Sequence, residues 1–255
     1  MLSLPEAASA RIISCDVFDT LLYRDHRSER RRFNDIAQLA ARYLGDEGGV
    51  RRHPNAIYQA RLEVQRQAYR ALDLSNPTGD VRFADMLDGM TRLLSLDARA
   101  ADLLYRAEIA VETAQLSANT RLMAWLRTQA KAGSRIIAVS DTYHTGETIK
   151  GLLAAHLDSD VIARIYASAD FDATKRTGAL FKVVLREEGA APSDVLHLGD
   201  DTLADVTMAR AAGLRAVQLL RPRHLILRRR VDAVRARVMQ AMRTRADHTR
   251  HRRAI

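Results

Sequence analysis

The hydrophobic positions of this chain change period twice. Residues 11–22, RIISCDVFDTLL, open with a short apolar run, Ile12, Ile13 and Cys15, that stops at Asp16. A run this short and this apolar reads as a strand buried on both faces. From about Arg24 to Ala118 the apolar residues recur at three- and four-residue spacing instead, the period of amphipathic helices. One set is Phe33, Ile36, Ala37, Ala40, Tyr43 and Leu44, stopped by Gly45. A second runs Ile57, Arg61, Val64, Ala68 and Leu72 and ends near 75–79. A third is Phe83, Met86, Leu87, Met90 and Leu94, and a fourth Ala101, Leu104 and Tyr105, with Glu108 and Glu112 one turn apart. The spacing predicts about four helices forming a module of their own.

After residue 118 short apolar runs alternate with helical segments. RIIAVS (135–140), RIYAS (164–168), VLHLGD (195–200) and AVQLL (216–220) read as strands. Helices are expected up to Gly133, over 145–157, over 180–188 up to Gly189 and over 203–212 up to Gly213, with glycine as the stop. Strands alternating with helices predict an α/β fold with a Rossmann-like parallel sheet. The core is expected over 1–24 and 118–220, with an inserted helical cap over 25–117 and a basic C-terminal helix or tail over 221–255. An insertion directly after the first strand lies over the edge where such sheets bind ligands, as a lid does.

Three strands end in polar residues at that edge: Asp16, Ser140 and Asp200. A carboxylate ending a buried strand needs a cation, a metal or a ring of N–H groups to compensate it. Ser140 before a helix offers a hydroxyl and N–H groups to an anion. Lys175 is one of only four lysines in an Arg-rich chain and stands in the loop before the helix at 180. In GDDTLAD (199–205), Asp200, Asp201 and Asp205 cluster, and clustered carboxylates suit an oxygen-liganded cation such as Mg2+. Each residue also has a structural reading: Ser140 and Asp201 as helix caps, Lys175 as a solvated charge, Asp205 as a first-turn acid. His197, inside a strand, reads as a packed core residue. Glu108 and Glu112 share a helix face and read as a solvated or hinge-facing pair.

The ordered set DVFDTLL (16–22), VSD (139–141), KRTGALF (175–181) and GDDTLAD (199–205) resembles the haloacid dehalogenase superfamily over residues 11–220. The resemblance implies a Rossmann-like core, a helical cap and a hydrolase. Asp16 would be the nucleophile and form an aspartyl intermediate, Ser140 would hold the phosphoryl group, and Lys175 would balance charge. Mg2+ would be held by Asp16, the backbone carbonyl of Phe18 and Asp200, with Asp205 supporting and Asp201 as an alternative ligand. Thr20, Asp141 and His144 stand beside these motifs as candidates for substrate contact. Phosphatases of the superfamily read D-x-D-x-T, with an acid two residues after the nucleophile. Here that position is Phe18 and the acid falls one later, at Asp19, which becomes the candidate acid/base. Dehalogenases of the superfamily also lack that acid, but typically lack the acidic metal motif as well. The expected activity is a Mg2+-dependent phosphohydrolase acting on a small phosphorylated metabolite or sugar. The alternatives are a metal-independent hydrolase of the dehalogenase type and a non-catalytic binding protein that uses its basic tail.

Charge changes the picture only at the C-terminus. The net charge is +9, yet residues 221–255 hold 12 Arg and 2 Asp, a net +10, so the preceding chain carries −1. Leu227, Val231, Val234, Val238 and Met242 form one apolar stripe among these arginines, the pattern of a basic amphipathic helix. It could pack on the core or on a second copy, or lie on an anionic membrane surface. Nucleic acid is not favoured, since no aromatics interleave the basic residues. Residues 247–255 are expected to be disordered, and 1–10 to be a flexible lead-in. The single cysteine, Cys15, is expected as small core filler; it excludes an internal disulfide and fits a reducing compartment. With no secretory pattern at the N-terminus, a cytoplasmic location is expected.

Overall fold

The computed structural model describes residues 10–253, with side chains through residue 239. Of the expected lead-in at 1–10, residues 1–9 lie outside the described residues, as do 254–255, and Ala10 is buried against the core. Five parallel strands form the core sheet: β1 (Ile12–Cys15), β4 (Arg135–Ser140), β5 (Ile162–Ala167), β6 (Val195–Gly199) and β7 (Arg215–Gln218), in the order β5-β4-β1-β6-β7. β1 sits at the centre, fully buried along its length, which is why its sequence reads as an apolar run without alternation. Helices α5 (Thr120–Lys131), α6 (Gly146–Ala154), the pair α7 (Ser168–Phe171) and α8 (Ala179–Glu187), and α9 (Met208–Ala211) alternate with the strands. The last is preceded by a π-helical turn over Thr202–Thr207. Two apolar clusters cover the faces of the sheet, one centred on Ile13, Cys15 and Leu126, the other on Ile12, Val139 and Phe181. The expected α/β core is therefore observed.

The inserted module consists of α1 (Glu29–Asp46), α2 (Pro54–Ser75), α3 (Phe83–Leu93) and α4 (Arg99–Gln115). It has its own apolar cluster, with Phe33, Leu44, Met86 and Leu104 at the centre. Gly45 does not stop α1 as expected: the helix continues to Asp46 and the left-handed turn is taken by Gly49 (φ 65°). Two strands escaped the sequence pattern. β2 (Leu22–Arg24) and β3 (Leu116–Ala118) pair antiparallel where the chain leaves and re-enters the core. Three residues are too few for an alternation to be legible.

Helix α10 (Arg223–Arg253) follows β7. Residues 247–253 continue it, where no order was expected. The helix docks on the cap and hinge through polar residues rather than through its apolar stripe. Asp232 accepts from the Ser28 N–H (2.9 Å) and hydroxyl (2.7 Å) at the start of α1, and Arg229 Nε donates to the Asp25 carbonyl (2.8 Å). Leu227, Val231, Val234 and Val238 face outward and are 45–63% exposed. The Met242 side chain lies outside the described residues. No described helix is long and apolar enough to cross a membrane.

Candidate active site

Parallel register brings the polar strand ends together. Cys15 pairs with Ala138 of β4 and Leu198 of β6, so Asp16, Ser140 and Asp200 emerge side by side at the C-terminal edge. Carboxylate oxygens of Asp16, Asp200 and Asp205 lie within 4.8 Å of one another. Asp205 can approach because position 199 is glycine; a Cβ there would collide with its carboxylate. Lys175 Nζ, itself buried, donates to Asp16 Oδ1 and Asp205 Oδ1, both at 2.6 Å. The two carboxylates hold the Lys175 ammonium charged, its pKa well above the ordinary lysine value despite the cost of burial. Burial pushes the Asp16 carboxyl up to about 7, only partly offset by Lys175. Asp200 is likewise pushed up to about 6 by burial, against the opposing charge of Arg221. Asp205 goes the other way: burial is outweighed by Lys175 and His197, and it is held far below the usual carboxylate range. Ser140 Oγ is buried and makes no hydrogen bond among the described residues. A buried hydroxyl without a partner beside a carboxylate is poised to donate to a bound anion.

The remaining candidates fall into distinct places. Asp141 accepts from the Lys175 N–H (2.6 Å) and the Arg176 N–H (3.0 Å), so it fixes the lysine loop. Thr20 Oγ1 donates to Asp200 Oδ1 at 3.5 Å and its carbonyl accepts from Asn119, which makes it a support for Asp200. Asp201 Oδ1 accepts from the Leu203 and Ala204 N–H groups as a helix cap, and the residue is not among the clustered acids. The Phe18 ring lies under the Arg24 guanidinium, 4.0 Å from centroid to Cζ, so any ligand from this residue is its backbone carbonyl. His144 is buried edge-on to Phe83 and against Tyr143. Its ring nitrogens have no hydrogen-bond partner among the described residues, and burial lowers its pKa.

Asp19, the candidate acid, is committed elsewhere. Arg229 forks onto both of its oxygens (2.6 and 2.8 Å), Arg221 Nη1 lies at 3.4 Å, and the Arg24 N–H donates to Oδ1 at 3.1 Å. Burial raises its pKa, but the Arg229 hydrogen bonds and the charges of Arg229, Arg24 and Arg221 outweigh it and hold the carboxyl below the ordinary range. An acid kept ionised in this way has no proton to give to a leaving group.

A family profile described as haloacid dehalogenase-like hydrolase matches residues 10–213. The chain belongs to the haloacid dehalogenase-like hydrolase family. No curated protein matches the sequence. Among solved structures, the fold is similar to a 2-haloacid dehalogenase from Pseudomonas syringae pv. Tomato DC3000, with a TM-score of 0.57, 17% identity, and coverage of 82% of this chain and 86% of that one. It is also similar to L-2-haloacid dehalogenase from Xanthobacter autotrophicus (TM-score 0.53, 15% identity, 87% and 82% covered). A third is a haloacid dehalogenase family enzyme from Bacteroides thetaiotaomicron (TM-score 0.54, 13% identity, 83% and 94% covered). At such identities the likeness is one of fold.

Several polar links around this candidate site were not legible in the sequence. His197 is a packed core residue, as expected, but also a polar link: Nε2 lies 3.1 Å from Asp205 Oδ1 and Nδ1 lies 2.6 Å from Ser14 Oγ. Asp205 is ionised, so Nε2 carries the proton and Nδ1 accepts from the Ser14 hydroxyl. Ser14 and His197 are register partners on adjacent strands; a polar residue at the same depth of two buried strands was the available signal. The Glu108–Glu112 pair is not solvated. Glu108 accepts from Arg61 (3.1 and 3.2 Å) and Tyr143 (2.8 Å), and Glu112 faces Arg32 (2.9 Å) and Arg24 (3.4 Å), all inside the cap or at its seam with the core. Between cap and core opens a cleft of about 370 Å³ lined by Phe18, Arg24, Arg32, Tyr69, Asp141 and Arg176, among others. That is room for a small metabolite.

Proposed function

We propose that this hydrolase is a Mg2+-dependent phosphohydrolase that acts through an aspartyl-phosphate on a small phosphorylated metabolite or sugar. The observation that carries this reading is the compact cluster of Asp16, Asp200 and Asp205. Burial raises the first two to about 7 and about 6. Acids whose ionised form burial disfavours in this way gain from a further cation among them. Their all-oxygen character fits Mg2+. Asp16, Asp200 and the Phe18 carbonyl would hold it, with Asp205 anchored behind them by Lys175 and His197. Bound there, the cation would supply charge neutralisation for the phosphoryl oxygens.

The chain's own residues account for the rest. Lys175 holds Asp16 Oδ1, so Oδ2 is the attacking atom. A bond forms from Oδ2 to phosphorus, and the bond to the leaving oxygen breaks, its electron pair departing with that oxygen. Ser140 donates to a phosphoryl oxygen. Water then attacks phosphorus, breaks the Asp16–phosphorus bond and returns the carboxylate with release of phosphate. Phe18 gives no proton, and Asp19 is held ionised by arginines. Among such metabolites, those whose leaving oxygen is stable without a proton are favoured, as when the leaving group is the carboxylate of an acyl phosphate or a nucleoside diphosphate. A missing general acid costs about 10²–10⁴ in rate on poorer leaving groups.

A phosphate-release screen over alkyl, aryl and acyl phosphates, with Mg2+ and with chelator, tests this. Release should require Mg2+, favour aryl and acyl over alkyl esters by about 10² or more, and vanish in Asp16→Asn. Halide release from a 2-haloacid in the presence of chelator supports the second reading, a metal-independent dehalogenase-type hydrolase. That reading is favoured by Phe18 in place of the acid and by Arg221, which supplies Asp200 with a positive partner from the protein.

A further inference from the structure

The segment after β7 reaches into the catalytic edge. Arg221 sets its Nε against Asp200 Oδ2 and its Nη1 3.4 Å from Asp19 Oδ2. Two turns on, Arg229 forks onto Asp19 and holds the start of α10 over the site. The charge balance of the edge is thereby divided. Lys175 serves Asp16 and Asp205, and Arg221 serves Asp200.

We propose that Arg221 is a built-in cation of the active site that competes with the divalent cation for Asp200, so that the C-terminal segment sets the affinity of the metal site. This rests on the divalent-cation reading given above. Asp200 Oδ2 is the atom that Arg221 meets, and its other oxygen is approached by Thr20. A guanidinium and a doubly charged ion on one carboxylate are like charges at contact distance, and each weakens the other. The coupling is reciprocal: a cation on Asp200 loosens Arg221, and Arg221 on Asp200 weakens the cation. Arg221 can yield because its side chain is 36% exposed and its neighbour Leu220 is 72% exposed, so the arginine swings out without opening the core. Arg229 stays on Asp19 and keeps the displaced segment close. Asp200 and Arg221 lie more than 20 residues apart, just beyond β6 and just beyond β7, and adjacency of those two strands brings them together.

Calorimetric titration of Mg2+ into the full-length protein tests the competition, with circular dichroism to verify folding. Arg221→Met, which keeps the length of the side chain and removes its charge, should bind Mg2+ about tenfold or more tightly than the wild type. Arg221→Lys, which keeps the charge, should stay within about threefold of it. Arg221→Gln serves as a second neutral variant if the methionine protein does not fold. Equal or weaker binding in the neutral variants overturns the competition while leaving the metal site standing. Absence of Mg2+ binding in every form overturns the divalent-cation reading itself, and with it this proposal.

Discussion

Asp19 has a left-handed backbone (φ 63°), uncommon for a residue with a side chain. The strain is offset by what the conformation allows: both carboxylate oxygens meet Arg229 while Oδ1 also accepts from the Arg24 N–H. Asp19→Asn should therefore act on stability rather than on proton transfer. Because the Asp19–Arg229 pair is partly exposed, its loss predicts a cost below the fully buried range, about 2–3 kcal/mol, or a Tm lower by about 5–10 °C for a protein of this size. The pH dependence has a definite sign. The folded pKa lies below the ordinary 3.8, so the ionised form is the one the fold favours. The stability difference between wild type and variant should be complete above about pH 5 and disappear as the pH falls through 3.8 and below. Thermal unfolding across that range measures it. A pH–rate profile that loses its alkaline limb in the variant would instead assign Asp19 the role of general acid.

Within the cap, α2 and α4 are joined through a buried charge pair. Arg61 on α2 is 2% exposed, forks onto Glu108 of α4, and lies against the rings of Phe33, Phe83 and Tyr143. Tyr143, from the loop after β4, donates to the same carboxylate, so the pair also ties cap to core. Glu108→Ala leaves a buried guanidinium without its counter-charge, which should cost about 3–5 kcal/mol. Adding Arg61→Met to that variant should recover much of the loss, because a methionine fills the space without a charge. Denaturant midpoints of the two single variants and the double variant provide the comparison. A double variant no more stable than Glu108→Ala would show that packing of the arginine stem, rather than charge, is what matters.

At the scale of the whole molecule, α10 bridges the helical module and the sheet core. Within one turn of this helix, Arg229 meets the core residue Asp19 and the carbonyls of Arg24 and Asp25, while Asp232 meets Ser28 at the start of the cap. The chain passes between the module and the core through the ribbon of β2 and β3. The double variant Arg229→Ala, Asp232→Ala should release this bridge without disturbing the sheet. Hydrogen exchange should accelerate at residues 22–28 by about tenfold or more, while the amides of β1 and β4 keep their protection. Uniform acceleration throughout the core would mean that the helix supports global stability instead.

The sequence by itself determined the parallel sheet, the four-helix insertion and the polar residues at the strand ends. Those features are written in local periods: a buried central strand is a continuous apolar run, an amphipathic helix repeats every three or four positions, and a strand ends where its apolar run stops. The order of the motifs was also enough to mark the family. Only the tertiary structure decided which charge meets which. Asp19 and Arg229 are 210 residues apart, and no spacing rule connects an acid in the first turn of the core to an arginine on the last helix. For the same reason Glu108 and Glu112 read only as a solvated or hinge-facing pair until Arg61, Arg32 and Arg24 arrived from other elements. Ser14 and His197 became a hydrogen-bonded link only through strand register. The tail shows the division most plainly. Its arginines were visible as a bulk charge of +10. That two of them meet acids at the C-terminal edge of the sheet follows from β7 lying beside β6, which delivers Arg221 to Asp200 and starts α10 over Asp19.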